Sequence, residues 1–427
     1  MAPYGGCSSV GRVQDCDSCC RGFEPHQPPQ KSQGLQVFLQ TLLIWPQNPN
    51  KPGQRQTHAS IKNRRSDVES RVCAICFILN PYSKTLTTAI DIVYLWVNGS
   101  DGAWRAKRQQ YAQKIQASGA AGFAQFGNVE GRFRDNDELR FSLRALEKFF
   151  PEHGHIYIVT DGQVPHWFQG SDQITLIDHH QLIPGAALPV FDSGNIESYI
   201  HRIAGLSERY FYFNDDVFFG APVCLDDWFF DGGIYVSWSD EPEVQGDQLQ
   251  AESTSLVNAS RLSKQWFEDR RYHARLGIHA LDRQVDGHYH HTPRTFSHSP
   301  RPMLKSMMIE IERDAPDLFQ RVRSTVFRTW DKPTIISDFV LRWALAHGFA
   351  KTIDHSHMYI ATGQALEQPS FRQLRDQFGR LDFFCINDTT DDAHDSDPRL
   401  VQIHQILSTL LPDASRCERP KRLASAA

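Results

Sequence analysis

The sequence predicts an α/β protein with a mostly parallel sheet, because short apolar runs alternate with helical patterns along most of the chain. Four β-branched or aromatic runs are typical of buried strands and occur at residues 90–97, 156–160, 174–177 and 210–213. Residues 135–150 and 195–206 instead place apolar side chains three and four positions apart, as in helices with one buried face. Alternation of this kind favours parallel strands, and such sheets bind ligands at the carboxyl ends of their strands.

Turn and stop signals set the limits of these elements. Asn98 and Gly99 form a turn signal that ends the first strand, and Pro151 stops the first helix. Helical patterns resume at residues 304–313 and 337–347.

Composition divides the chain into three regions. Residues 1–88 are rich in Pro, Gln, Ser, Asn and Cys, which predicts a poorly ordered extension or upstream sequence translated from a misplaced start. The main folded domain is predicted at 89–413, where the polar stretch 239–292 forms an excursion or lid. Residues 414–427 are short and basic, and we expect them to form a frayed tail.

Charge and hydropathy exclude two classes of protein. The chain has 45 basic and 50 acidic residues and a net charge of −5, so it lacks the basic field that non-specific nucleic-acid binding needs. Its longest apolar runs, at 35–45 and 72–79, are well short of the roughly 20 residues that span a bilayer. No secretory signal is evident. We therefore expect a cytoplasmic protein and no nucleic-acid partner.

The cysteines do not form a disulfide pattern. Six of the nine lie before residue 90, and the three that remain suit a reducing compartment. Cys16 and Cys19, like Cys73 and Cys76, have the spacing of zinc ligands. The two pairs are much further apart than in a compact zinc knuckle, which favours incidental cysteines.

The fourth predicted strand ends in three oxygen-bearing side chains, Asn214, Asp215 and Asp216. Two adjacent carboxylates beside apolar neighbours repel each other unless a cation or protons neutralise them. Oxygen ligands favour Mg²⁺ or Mn²⁺ over zinc. The pattern indicates a divalent-metal site, and the alternative is a strand-end turn with solvated aspartates.

A second cluster, RFRDNDELR, opens the first predicted helix. Asp135 or Asn136 can cap that helix, and Arg134 can pair with Glu138 one turn later. The functional alternative is that Arg132 or Arg134 faces phosphate at the strand ends. Taken alone, these residues favour the structural interpretation.

Two further segments carry groups suited to a sugar substrate. Ser193 and Glu197 lie where a turn leads into the second predicted helix, although Ser193 can also be a helix cap. His298 is followed by two prolines that fix the chain around it. A neutral imidazole at physiological pH can accept the proton of a sugar hydroxyl.

Taken in the order in which they occur along the chain, the segments described above resemble those of the Stealth family. This family includes bacterial capsular-polysaccharide phosphotransferases and the catalytic part of animal N-acetylglucosamine-1-phosphotransferase. The stretch DIVYLWVNGSD at 91–101 resembles the first family segment. The second segment is matched by the residues that run from RFRDNDELR through TDGQVP and IES to NDD. A looser third segment comprises HSPRP at 298–302 and VFR at 326–328, and the fourth is CIND at 385–388.

The resemblance implies a nucleotide-sugar-binding fold similar to that of GT-A glycosyltransferases. It places Asp215 or Asp216, together with Asp388, around the metal, and Asp216 also counts among the catalytic residues. Arg328 would contact phosphate, and His298 would act near the acceptor. Substrate contacts are expected from polar residues of the first two segments, namely Asp91, Asn98, Asp101, Arg132, Arg134, Asn136, Glu138, Ser193, Glu197 and Asn214.

The implied reaction transfers a hexose-1-phosphate from a nucleotide-sugar donor to a glycan or polysaccharide hydroxyl, during exopolysaccharide or capsule synthesis. Peripheral association with membrane-bound polysaccharide machinery, at the inner face of the membrane, is expected. One alternative is a metal-dependent glycosyltransferase that releases a nucleoside diphosphate. Another is an inactive carbohydrate-binding scaffold, but clustered carboxylates argue against it because they cost stability without a function.

Overall fold

Five strands form the central sheet, in the order β3 (Ile174–Asp178), β2 (Ile156–Thr160), β1 (Asp91–Leu95), β4 (Arg209–Asn214) and β8 (Arg301–Leu304). β1 to β4 run parallel, and β8 pairs with β4 in the antiparallel direction. Pro302 fits in β8 because this is an edge strand, where a missing N–H is tolerated. The predicted α/β class with a mostly parallel sheet is confirmed.

The computed structural model describes residues 89–119, 122–275, 289–363, 368–394 and 396–419, all within one compact unit, Lys84–Ala427. The extension predicted at 1–88 and its cysteine pairs lie outside the described residues. No helix in the described part is long and apolar enough to cross a membrane.

Helices cover the sheet and connect its strands. They are α1 (Gly102–Ala117), α2 (Glu138–Phe149), α3 (His179–Leu182), α4 (Ser193–Glu197), α5 (Ser255–Arg275), α6 (Lys305–Asp314), α7 (Pro316–Arg323), α8 (Val340–Ala346), α9 (Gln368–Gln377) and α10 (Pro398–Leu410). Short 3₁₀ turns occur at Glu130–Phe133, Gly185–Ala187, Ile200–Arg202 and Leu225–Asp227, and a π-helical turn at Ile335–Phe339.

Two smaller sheets extend the core. One has the order β10 (His357–Ala361), β11 (Phe383–Asn387), β5 (Val217–Phe219), and the other β6 (Phe229–Phe230), β7 (Gly233–Val236), β9 (Ala350–Thr352). Only Asp215 and Asp216 separate β4 from β5, so the turn that carries both carboxylates joins the central sheet to the first of these smaller sheets.

The inner strands of the central sheet are apolar because both of their faces are buried. Every residue of β1 and β2 is buried. Helix α2 packs its apolar stripe on β5, where Ser142 Oγ donates to the Val217 carbonyl at 2.6 Å and lies 2.9 Å from the Tyr94 hydroxyl. This polar contact fixes α2 against the strands that lead to the site.

The predicted strands and the helices at 135–150 and 304–313 are confirmed with small changes at their ends. The helix at 337–347 forms from Val340 as α8, after the π-helical turn. The helix at 195–206 is wrong in length, because α4 ends at Glu197 and a separate 3₁₀ turn follows. Ser198 Oγ donates to the Asn195 carbonyl at 2.7 Å, and such side-chain bonds compete with helix continuation.

The excursion at 239–292 contains α5, a helix of 21 residues that the sequence did not predict. Ala259, Leu262 and Phe267 are buried, and Trp266 packs edge-on against Phe339 of the π-helical turn at 4.9 Å between ring centroids. The described part of this excursion is therefore joined to the core rather than held above it.

The tail predicted from residue 414 is wrong for its described part. Glu418 is 4% exposed and accepts hydrogen bonds from Arg140 Nε at 2.6 Å and Arg144 Nη2 at 2.7 Å. Residues 420–427 lie outside the described part of the chain. A basic composition suggested fraying, but one carboxylate can dock this segment on the arginines of α2.

Candidate active site

The candidate site lies at the carboxyl edge of the central sheet. The turn after β4 places Asn214, Asp215 and Asp216 there. Because β8 runs antiparallel to β4 and pairs Arg301 with Tyr212, the segment that precedes β8 reaches the same edge. His298 thus arrives beside the end of β4, although it lies far away in the sequence.

Two arginines converge on one hydroxyl at this edge. Arg132 Nη2 donates to Ser193 Oγ at 3.1 Å, and Arg328 Nη2 donates to the same oxygen at 2.6 Å. Burial and the charge of Arg328 lower the pKa of Arg132 to about 10, so the Arg132 guanidinium group stays charged at neutral pH. Two cations that share one neutral acceptor repel each other, and an anion bound between them would relieve that repulsion.

Arg328 is held from two further directions. Its Nη1 donates at 3.3 Å to the hydroxyl of Ser255, which is the first residue of α5. Its Nε lies 3.6 Å from Asp192 Oδ1. Asp192 in turn accepts from Thr325 Oγ1 at 2.8 Å. These contacts fix the direction of the guanidinium group.

His298 is half-buried and lies among cations. Burial and the charges of Arg301, Arg328 and Arg132 lower its pKa to about 3. The imidazole is therefore neutral across the physiological range and can accept a proton. Its ring centroid is 4.8 Å from that of Tyr359.

The Asp215 and Asp216 carboxyls are adjacent groups that repel each other when both are ionised. Burial and the charge of Asp216 raise the pKa of Asp215 well above its usual range, and burial raises the pKa of Asp216 to about 6. Within the described part of the chain, Asp216 Oδ1 is buried without a hydrogen-bond partner. The pair therefore fits a bound divalent cation, which would neutralise both groups.

The third predicted metal ligand, Asp388, is used differently. Both of its oxygens are taken, because Arg134 Nη1 pairs with Oδ2 and Thr390 donates to Oδ1 from its N–H at 2.9 Å and its hydroxyl at 2.7 Å. Asn136 Nδ2 lies 3.3 Å from Oδ2. In this structure Asp388 forms a buried ion pair with Arg134, which is 11% exposed, and its assignment to the metal stays a prediction.

No group of three or more His, Cys, Asp or Glu side chains in the described residues is arranged to hold a metal. A cation at the Asp215–Asp216 turn would need substrate oxygens and water to complete its coordination, as Mg²⁺ commonly does.

A buried chain of polar groups lies behind the arginines. Tyr212 hydroxyl is 3.0 Å from Glu197 Oε1 and 2.8 Å from Asn214 Oδ1. Burial raises the pKa of Glu197, and Arg328 and the Tyr212 hydroxyl oppose that rise. Glu138 is also buried, and burial with the charges of Asp215 and Asp135 raises its pKa well above the usual range. Its Oε1 accepts a hydrogen bond from Asn136 Nδ2 at 2.7 Å.

Asp91, which was predicted to contact substrate, lies away from the candidate site. Asp91 begins β1, at the amino edge of the sheet opposite the site, where its carboxylate accepts from the N–H groups of His155 and Ser207, both at 2.8 Å. Asp101 caps α1 by accepting from the Trp104 N–H at 2.7 Å.

Asn98 lies beyond the carboxyl end of β1, at the expected edge, and accepts from the Ser100 N–H through its side chain at 2.9 Å. Substrate contact by Asn98 or Asp101 stays a prediction.

The sequence did not single out two residues of the site, Arg301 and Cys385. Arg301 is 5% exposed, and burial lowers its pKa to about 10, while Glu197 and Tyr212 oppose this. Cys385 is fully buried, and its thiol lies 3.5 Å from Asp216 Oδ2. Both belong to segments that were noticed, HSPRP and CIND, but nothing in a local pattern shows what lies across from them.

Two family models match this chain. Residues 88–116 match conserved region 1 of Stealth proteins, and residues 132–236 match conserved region 2. These regions include the arginine segment, Ser193 and the turn after β4.

Several curated proteins are similar to this chain. The exopolysaccharide phosphotransferase SCO6023 of Streptomyces coelicolor is 31% identical over 378 residues, which cover 87% of this chain and 59% of that protein. The exopolysaccharide phosphotransferase CpsY of Mycobacterium tuberculosis is 30% identical over 72% of this chain and 54% of its own length. The capsular polysaccharide phosphotransferase cps1A of Actinobacillus pleuropneumoniae is 39% identical over 41% of this chain and 48% of its own. The chain spans about half the length of these relatives.

Among solved structures, the galactosyltransferase LgtC in complex with donor and acceptor sugar analogs aligns with 78% of this chain and 98% of its own, at 11% identity and a TM-score of 0.37. The family models and the similarity to the phosphotransferases above lead to one conclusion: this chain carries conserved regions 1 and 2 of the Stealth proteins.

Proposed function

We propose that this protein is a sugar-phosphotransferase that moves a hexose-1-phosphate, such as N-acetylhexosamine-1-phosphate, from a nucleoside-diphosphate sugar to a carbohydrate hydroxyl in exopolysaccharide or capsule synthesis. The names of its relatives support the reaction class. The observation in this chain that carries the proposal is the convergence of Arg132 and Arg328 on Ser193, beside the neutral imidazole of His298.

The arginine pair suits the diphosphate of the donor. A guanidinium group can form two parallel hydrogen bonds to phosphate oxygens, and two such groups match the charge of a diphosphate. Each buried Nε, on Arg132 and on Arg328, lacks a hydrogen-bond partner in the described part of the chain. Fixed cations of this kind stabilise charge on non-bridging oxygens during phosphoryl transfer.

A divalent cation, Mg²⁺ or Mn²⁺, belongs to the proposal. Asp215 and Asp216 would hold it, and it would supply further positive charge to the phosphate oxygens and the leaving nucleotide. The orphaned Oδ1 of Asp216 and the repulsion between the two carboxyls support this assignment.

In the proposed step, an acceptor hydroxyl attacks the phosphorus next to the donor sugar, and its proton passes to the His298 ring. A new O–P bond forms while the bridging O–P bond to the nucleoside monophosphate breaks. The sugar's C1–O bond is retained. A bound diphosphate offsets the neighbouring arginine charges, so His298 becomes a stronger base when the donor is present.

We also place the reaction in the cytoplasm. The described cysteines form no disulfide, which suits a reducing compartment.

The identity of the released nucleotide tests this function. Purified protein with Mg²⁺ or Mn²⁺ is incubated with a set of nucleotide sugars, including UDP-N-acetylglucosamine and UDP-glucose, and the products are separated by anion exchange. Release of a nucleoside monophosphate supports the proposal, and release of a diphosphate identifies a glycosyltransferase. Arg328→Lys should slow nucleotide release by about 10²-fold or more, as expected for the loss of one preorganised hydrogen-bond donor. The control is Arg202→Lys, at a side chain that is 45% exposed, and it should leave the rate of release unchanged.

A further inference from the structure

Tyr359 is an exposed ring fixed against His298. The two rings are tilted by 41° at 4.8 Å between centroids, and 38% of Tyr359 is exposed. Asn387 Nδ2 donates to the Tyr359 hydroxyl at 3.1 Å. A single exposed ring is ordinary on a protein surface. This one is held in place beside the imidazole that receives the acceptor proton in the proposed step.

The strand that carries Tyr359 runs into the site. β10 is one of the two edge strands of its sheet, and Tyr359 pairs across to Cys385, whose thiol contacts Asp216. His357 lies two residues earlier and so shares a face of the strand with Tyr359. Its Nε2 is 3.4 Å from Asp240 Oδ2. His357 and Tyr359 therefore form a strip along one face of β10, and this strip leads from solvent to His298.

Exposed carboxylates border this strip. The Asp240 side chain is 87% exposed, and Glu241 follows it. Partial burial and the nearby Cys385, Asp216 and Glu241 raise the pKa of Tyr359, so the phenol stays neutral. The acidic border contrasts with the arginines on the other side of His298.

We propose, on the basis of the phosphotransferase function above, that Tyr359, Asp240 and Glu241 form an acceptor subsite for an uncharged sugar. A pyranose has an apolar C–H face and a polar edge. The face matches an aromatic ring with its negative π surface, and the edge offers hydroxyl donors to carboxylates. An anionic sugar would be repelled by the same two carboxylates.

A split between acceptor and donor KM tests the subsite. The probes are the methyl glycosides of glucose, galactose, mannose and N-acetylglucosamine, with the donor selected by nucleotide release. Tyr359→Ala and the bulkier Tyr359→Leu should both raise the acceptor KM roughly tenfold, and Tyr359→Phe should change it little, because the ring face is kept. Donor KM should stay within about twofold in all three.

Two controls separate this effect from general damage. Tyr235→Ala removes a half-buried tyrosine from β7 and should leave the acceptor KM unchanged. Wild type should use methyl glucuronide poorly, and the double change Asp240→Asn with Glu241→Gln should improve its use while weakening that of the neutral glycosides.

An unchanged acceptor KM in Tyr359→Leu overturns the inference. So does a wild-type protein that releases nucleoside monophosphate and transfers to none of the glycosides. A protein that releases no nucleoside monophosphate from any donor contradicts the proposed function itself, which is a separate result.

Discussion

At the scale of single residues, the site consists of like charges that the fold brings together. Arg132 and Arg328 share Ser193, and Asp215 and Asp216 share one turn. Each pair costs stability in the empty protein, and an opposite charge removes that cost. An anionic substrate at the arginines and a divalent cation at the aspartates would each remove one of these repulsions, as the proposed function requires.

The two aspartates that were predicted to share a metal should now behave differently. Asp216→Asn should abolish transfer and leave the metal-free protein as stable or more so, because repulsion from Asp215 is removed. Asp388→Asn should destabilise the fold by roughly 3 kcal/mol, since it leaves Arg134 without its buried partner. Denaturant titration of both variants without metal measures the contrast. Equal stability losses would refute it.

The pH dependence of stability gives an independent test of Asp216. Burial raises the pKa of this carboxyl to about 6, so its folded state favours the protonated form. Its contribution to stability is fully present below its ordinary pKa of 3.8 and is lost as the pH rises from there through about 6. Over this pH range, metal-free wild type should therefore lose more stability than Asp216→Asn. Added Mn²⁺ should restore the stability that wild type loses. Thermal melts at several pH values would show this.

His298 should stay neutral until the donor binds. Its pKa is lowered to about 3 by burial and three arginines, so its ring signals should not titrate between about pH 5 and 8. Adding uridine diphosphate, which carries the diphosphate of a uridine-diphosphate-sugar donor, should raise that pKa, because the phosphates offset the arginine charges. NMR of protein with labelled histidines measures it, with His298→Gln used to assign the signal. A pKa that does not move with ligand would contradict the placement of the phosphates.

How much of this the sequence reveals depends on distance along the chain. Asp215 and Asp216 are adjacent, so their repulsion can be argued from the residues alone. Ser193 contacts Arg132 across 61 positions and Arg328 across 135. Those contacts depend on strand order, which local periodicity does not specify. The ion pair of Asp388 with Arg134 was missed for the same reason, since the two residues are 254 positions apart.

At the scale of elements, apolar strands were predictable because both faces of a parallel sheet are buried. Helix α5 was missed because its buried face includes the polar Asn258, Ser260 and Arg261. Arg261 Nη1 donates to Asn258 Oδ1 at 2.9 Å, and Arg342 Nη2 donates to Ser260 Oγ at 2.9 Å. Paired polar groups inside a core hide the apolar periodicity that marks a helix.

The docking of residues 415–419 on α2 should matter for stability. Glu418→Gln removes the buried carboxylate charge that Arg140 and Arg144 share, and should cost about 3 kcal/mol. Glu152→Gln, an exposed control, should change stability by less than about 0.5 kcal/mol. Urea unfolding of the two variants decides this. A small effect in Glu418→Gln would mean that the segment contributes little to the fold.

At the scale of the whole molecule, every candidate site residue lies after residue 89, in the unit that holds all three sheets. A chain that starts at Ala89 should therefore fold and keep its turnover. Circular dichroism and nucleotide release check this prediction. A folded truncated protein that loses more than about tenfold in rate, or roughly 1.4 kcal/mol of barrier, would show that residues 1–88 take part.

The central claim is that the acceptor attacks phosphorus and not the anomeric carbon. Phosphorus NMR of the purified product tests it most directly, with the donor and glycoside that support turnover. A phosphodiester resonance between two sugars, with release of a nucleoside monophosphate, is the result that this account predicts. A phosphate-free glycoside with a released nucleoside diphosphate would contradict it.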